Sequence, residues 1–203
     1  SLELLPDAIM PDAIMPDAIM PSQSQHKFVE VGDAIFTFGS SSTIATCTYD
    51  VPGVLCMTDL VATAGGGAVY GEFKVLSGNS DGGVDAYLGA VVQKDGLDLN
   101  KQHAGGANGE AYFLSLYSGS LNGSGKNGSD FQGYCCVKVG DRMGVLVNAG
   151  PEGFVRYYKN GKAFGGTFSG PIKSPVVVAV EMYCKGMSLE LLPNARRPDR
   201  PAI

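Results

Sequence analysis

Tryptophan is absent from the 203 residues, and histidine occurs only at positions 26 and 103. Two imidazoles so far apart do not form a metal-ligand spacing. Charge is scarce as well: Asp, Glu, Lys and Arg make up 17% of the chain, the net charge is −5, and the basic residues form no run. A surface of that balance repels phosphate, which excludes nucleic acid and an anionic membrane as partners. No apolar stretch approaches the roughly 20 residues of a membrane span. Residues 1–21 lack the basic start and continuous apolar core of a signal peptide.

Catalytic sets are missing too. No serine stands in a Gly-x-Ser-x-Gly elbow, so a hydrolytic triad has no nucleophile. Gly125-Lys126 suggests a phosphate loop, but such a loop needs glycine at 120 and Ser or Thr at 127, where this chain has Ser120 and Asn127. Paired carboxylates for glycoside hydrolysis need a common strand face. Glu30 and Asp33 are three residues apart, and Glu181 and Glu190 fall on different predicted strands. The chain is therefore expected to be no enzyme and to need no cofactor.

Cys47, Cys56, Cys135, Cys136 and Cys184 are odd in number and irregular in spacing. They are expected to be reduced thiols of a cytoplasmic protein. Asn122-Gly-Ser and Asn127-Gly-Ser are glycosylation sequons and support the alternative, a secreted chain.

What the chain has in abundance is glycine, 29 residues, set among β-branched and aromatic runs. FVEV, IFTF, YGEFKVL, VDAYLGAVVQ, EAYFLSLYSG, YCCVKVGDRMGVLVN, FVRYYKNGKAFGGTF and PVVVAVEMYCKGMSLELLP read as strands. The stretch GSLNGSGKNGSDFQG reads as a loop unable to sustain a ladder. No helical periodicity competes, so the fold class is all-β. Asn160-Gly161 sits where both residues of a tight hairpin need positive φ. In MSLELL, Met187, Leu189 and Leu191 share the buried face of a half-buried strand.

GDRMGVLVN, FVRYYKNGKAFGGTFSG and PVVVAVEMYCKGMSLELL together resemble the C-terminal half of a SPRY domain. YGEFKVL and YLGAVVQ resemble its earlier strands, so the likeness spans about residues 28–193. It implies a two-sheet antiparallel jelly-roll-like sandwich, which leaves residues 1–27 as an N-terminal arm and 194–203 as a C-terminal tail or the start of a next linker. It also implies a non-catalytic module whose loops, at one end of the sandwich, bind a protein or peptide partner. A Trp-Gly pair of some peptide-binding relatives falls near Cys184 and Lys185, and this chain lacks it. Two segments are candidates for the recognition surface. One is the loop 94–109 with Lys101, Gln102 and His103; the other is the bend 183–186 with Tyr183 and Lys185. A lectin-like carbohydrate module is the alternative, with Tyr112 and Tyr117 standing in for the missing tryptophans.

One feature of the chain concerns assembly. Residues 6–21 repeat Pro-Asp-Ala-Ile-Met, with a proline every five residues, which blocks a helix and predicts an extended arm. Residues 1–12, SLELLPDAIMPD, match residues 188–199, SLELLPNARRPD, at nine of twelve positions. The first copy is expected to be the closing strand of a preceding unit in a tandem or head-to-tail array. Self-association through residues 1–21, by addition of residues 1–5 to a sheet edge, follows from that reading.

Overall fold

A computed structural model describes residues 26–29, 36–48, 53–79, 82–95, 97, 104 and 111–198. The Pro-Asp-Ala-Ile-Met arm and the residues Lys101, Gln102 and His103 lie outside these. No helix occurs among the described residues.

Among the described residues thirteen strands form two antiparallel sheets. In chain order they are β1 (Phe36–Phe38), β2 (Ile44–Cys47), β3 (Val54–Ala62), β4 (Val69–Ser77), β5 (Ala86–Val92), β6 (Ala111–Ser115) and β7 (Leu121–Gly123). Then follow β8 (Lys126–Ser129), β9 (Arg142–Asn148), β10 (Phe154–Lys159), β11 (Lys162–Ser169), β12 (Val176–Met182) and β13 (Ser188–Leu191). The seven-stranded sheet runs β1-β2-β13-β4-β9-β10-β11 and the six-stranded sheet runs β3-β12-β5-β6-β7-β8. The predicted all-β sandwich is the fold observed.

Alternation sorts the side chains between faces. Val155 and Tyr157 of β10, with Met143, Val145 and Val147 of β9, enter the main core between the sheets. From β12, Val176, Val178, Val180 and Met182 meet them. Tyr157 carries a hydroxyl into this core and donates it to the Tyr112 carbonyl at 2.9 Å, which ties the two sheets together. Met187, Leu189 and Leu191 are at most 1% exposed, as their alternation predicts. Asn160 (φ 51°) and Gly161 (φ 78°) form the tip of the β10–β11 hairpin, also as predicted.

Elsewhere the structure corrects the sequence reading. The Gly- and Ser-rich stretch expected to be a loop contains β7 and β8, paired with each other. Leu121, fully buried, anchors the first of these strands, and Ser124-Gly125 (φ 42° and 78°) makes the tight turn. Asn122 then closes the hairpin by accepting from the Gly128 amide at 3.2 Å. Conversely, YCCVKVGD is irregular up to Arg142, with Gly133 (φ 129°) and Cys135 (φ 52°) turning the chain out of any ladder. Strands β2 and β3 were not among the predicted runs, although residues 39–42, Pro52-Gly53 and Gly65-Gly66-Gly67 bound them.

Candidate functional site

All seven residues of β12 are buried, on both faces. That is unexpected for a sandwich sheet with one face toward solvent, and it means something covers the outside of the six-stranded sheet. Val177 and Ala179 point outward and pack with Leu55, Val91, Phe113 and Ala104 in a second apolar cluster. Leu97 lies partly buried against it. Leu97 and Ala104 both belong to the 94–109 segment, so at these two points the segment rests on the sheet.

Glu181, the third outward residue of β12, is 0% exposed. A buried carboxylate is costly unless hydrogen-bonded, and here each oxygen has a donor. Ala104 donates its amide to Oε2 at 2.7 Å, and the Tyr183 hydroxyl donates to Oε1 at 2.8 Å. The carboxylate thus joins the two segments proposed from sequence: the 94–109 loop at Ala104 and the 183–186 bend at Tyr183. Gly53 makes room for this arrangement. It is buried with φ +71°, and a Cβ there would collide with Glu181 Oε1 and come within 2.9 Å of the Tyr183 ring.

Tyr87 completes the corner, its ring centroid 5.5 Å from that of Tyr183 and tilted by 54°. Desolvation, then the Glu181 charge and its hydrogen bond, push the Tyr183 phenol well above its ordinary range. Tyr87 is raised by desolvation, then by Asp85 and Glu181. Both phenols are therefore neutral at physiological pH, and act as ring surface and donor rather than as nucleophiles.

The bend itself is fixed from below. Gly186, with φ +81°, donates its amide to the Cys47 carbonyl at 2.8 Å, and its own carbonyl accepts from Ser77 Oγ at 2.6 Å. Lys185 is exposed at the crest while Tyr183 is half-buried below it. Lys101, Gln102 and His103 fall outside the described residues, but the residue after His103 is the clamped Ala104. Sequence reasoning did not assign Glu181 this role. Its signal was a single acid in the otherwise apolar run VVVAVEM.

A second surface escaped the sequence reading. Phe131 and Tyr134 are 53% and 74% exposed in the turn after β8. Their rings meet edge-on at 5.1 Å, and Tyr117 lies 5.7 Å from Tyr134. Tyr112, offered above as a sugar platform, is only 2% exposed. Its ring packs edge-on to Phe168 at 5.5 Å and its hydroxyl accepts from the Lys173 amide. It has no face left for a ligand.

Among the described residues no group of three or more His, Cys, Asp or Glu is placed to hold a metal ion. None of the five cysteines is in a disulfide, and Cys47 and Cys56 are buried. Burial, then proximity to Cys47, pushes the Cys56 thiol far up, so it is not a nucleophile.

No family model matches the chain, and no curated protein matches it. Solved structures do. A human SPRY domain superposes with a TM-score of 0.62 at 19% identity, covering 82% of this chain and 99% of that one. The SPRY domain of human HERC1 gives 0.59 at 14% identity over 82% of this chain and 93% of its own. The NEUZ (NHR) domain of Neuralized from Drosophila melanogaster gives 0.58 at 12%, covering 86% and 95%. At such identities the likeness speaks to the fold, and it agrees with the strand order and the sheet pairing: this chain is a SPRY-like β-sandwich.

Proposed function

We propose that the chain is a non-catalytic protein-interaction module whose partner, a protein or peptide, engages the corner built on Glu181. The observation that carries this reading is the shared carboxylate: one buried charge holds both recognition segments, from Ala104 on one side and Tyr183 on the other. Loops held by a rigid scaffold can present variable side chains without losing their shape. Lys101, Gln102 and His103 beside one segment, with Tyr183 and Lys185 on the other, supply donors, positive charge and a ring to an acidic protein. An acidic or amide-rich peptide is the complementary ligand. SPRY domains as a class are interaction modules, which supports the same reading.

Selection of displayed peptides against the intact chain tests it. Selected peptides should lose binding to a folded Lys101→Ala/His103→Ala/Lys185→Ala variant. Undiminished binding would move the site elsewhere, first to the Phe131–Tyr134 turn.

The finer proposal is a cytoplasmic scaffold in which residues 1–21 join one copy to the next. Sedimentation of a chain lacking residues 1–21 tests that part separately, because association should disappear while peptide binding remains. An unchanged sedimentation profile would count against the scaffold and leave the peptide site standing.

A further inference from the structure

β13 closes the seven-stranded sheet from inside. It lies between β2 and β4, antiparallel to both. Ser188 pairs with Thr46 and its hydroxyl meets the Thr46 hydroxyl at 2.8 Å. Leu189 and Leu191 go into the core opposite Val75 and Phe73, while Glu190 pairs with Lys74 on the other face. The Leu191 amide donates to the Thr43 carbonyl and the Leu192 amide to the Glu72 carbonyl. Everything this slot touches from 188 to 193 is therefore backbone, which any sequence supplies, or side chains of Ser-Leu-Glu-Leu-Leu-Pro. Residues 1–6 are Ser-Leu-Glu-Leu-Leu-Pro.

From this identity we propose that the β2–β4 slot is a strand-binding site whose second occupant is residues 1–6 of another copy of this chain. The proposal rests on the self-association reading above and gives it a seat: the slot of β13, not a free sheet edge. Main-chain pairing supplies affinity and the two inward leucines supply selectivity. One observation and one length argument favour another copy as the source of the occupant. His26, where the arm begins, and Pro193, where a strand leaves the slot, line neighbouring hollows that share Tyr70 as a wall. The arm's root and the slot's exit are thus close together. The proline-punctuated spacer of residues 6–21, about 50 Å long if extended, would carry the tip away from its own slot.

Outside the hexapeptide the copies differ. Asn194 and Arg196 line the hollow beside Glu72, where the arm has Asp7 and Ile9. These contacts, and the short tether from β12, favour β13 in an undisturbed copy. A copy whose β13 is displaced is completed by its neighbour.

Four full-length chains test this. Leu2→Asp/Leu4→Asp should be a folded monomer with a wild-type melting temperature. Leu189→Asp/Leu191→Asp should keep its strand spectrum and assemble, with apparent mass rising over an about tenfold increase in concentration. The chain carrying all four changes should be unfolded alone and recover strand signal on mixing with wild type, eluting with it. In Leu189→Asp/Leu191→Asp carrying Glu3→Cys and Lys74→Cys, a short bis-maleimide should link positions 3 and 74 between chains, as mapped by mass spectrometry. The slot assignment is overturned if Leu189→Asp/Leu191→Asp is as unfolded as the quadruple variant and the 3–74 link is absent. A folded Leu189→Asp/Leu191→Asp that stays monomeric at every concentration overturns the assignment to another copy. If deletion of residues 1–21 abolishes association while the 3–74 link never forms, self-association stands and this seat for it fails.

Discussion

The Glu181 corner and the Phe131–Tyr134 turn are two opposite ways of carrying a surface on the same sandwich. At the corner a charge is buried and both its oxygens are bonded, so one side chain holds two segments, one by the Ala104 amide and the other by the Tyr183 hydroxyl. At the turn, the Phe131 and Tyr134 rings face water and meet edge-on. The corner draws its shape from polar satisfaction, which is exacting: a lost partner leaves an orphan inside. The turn draws its shape from glycine and positive-φ residues, and its rings contribute little to the fold. The first is suited to holding a defined geometry and the second to burying apolar area against a partner.

Breaking the corner should have the largest effect. Glu181→Ala leaves the Ala104 amide and the Tyr183 hydroxyl without acceptors and should cost about 3 kcal/mol in urea denaturation. Glu181→Gln retains an acceptor and should cost less than the alanine variant; equal losses would mean that packing, not hydrogen bonding, sets the corner. Next comes Gly53→Ala, which places a Cβ against Glu181 and Tyr183 at φ +71°. It should cost about 1–3 kcal/mol by the same measurement.

A pH effect follows, and it belongs to neither region, so it serves as a background. Burial opposes the charge on Asp141, but hydrogen bonds from Asn160 and the Lys138 amide, with the Lys159 ammonium, outweigh it and hold the carboxyl below its usual range. The contribution of a depressed carboxyl is present above its unfolded pKa, about 3.9, and is lost as pH falls through the folded value. Asp141→Asn should therefore flatten stability against pH only below about pH 4, by less than about 1 kcal/mol. The corner variants should leave that acid limb unchanged.

Smallest in stability should be Phe131→Ser/Tyr134→Ser, within about 0.5 kcal/mol of wild type. A loss as large as that of the corner would show that the turn is structural and end the contrast between the two regions.

How legible these regions were in the sequence follows from range. The Asn160-Gly161 hairpin and the Met187, Leu189, Leu191 face were readable because a turn or an alternation declares itself within a few residues. The β7–β8 hairpin was not, because the glycines that make its turn look like those of a loop. Only Leu121, buried by strands elsewhere in the chain, distinguishes the two. Glu181 and Ala104 are 77 residues apart, and no local pattern reports a contact between a carboxylate and a backbone amide. Tyr112 reads locally as a half-buried strand residue, and only the cover on both faces of β6 buries it fully.

The place of β13 in the chain carries a consequence for synthesis. It is the last of the thirteen strands to leave the ribosome, yet it lies third in the seven-stranded sheet, between β2 and β4. Until residues 188–191 emerge, β1-β2 and β4-β9-β10-β11 are two half-sheets, each with an unpaired inner edge facing the gap. A nascent chain then exposes two strand edges, the short β2 and the nine-residue β4, to its neighbours on a polysome, a condition that favours edge pairing between chains. Closure of this domain therefore waits until residues 188–191 have emerged, and a chaperone that shields strand edges during elongation should raise its yield.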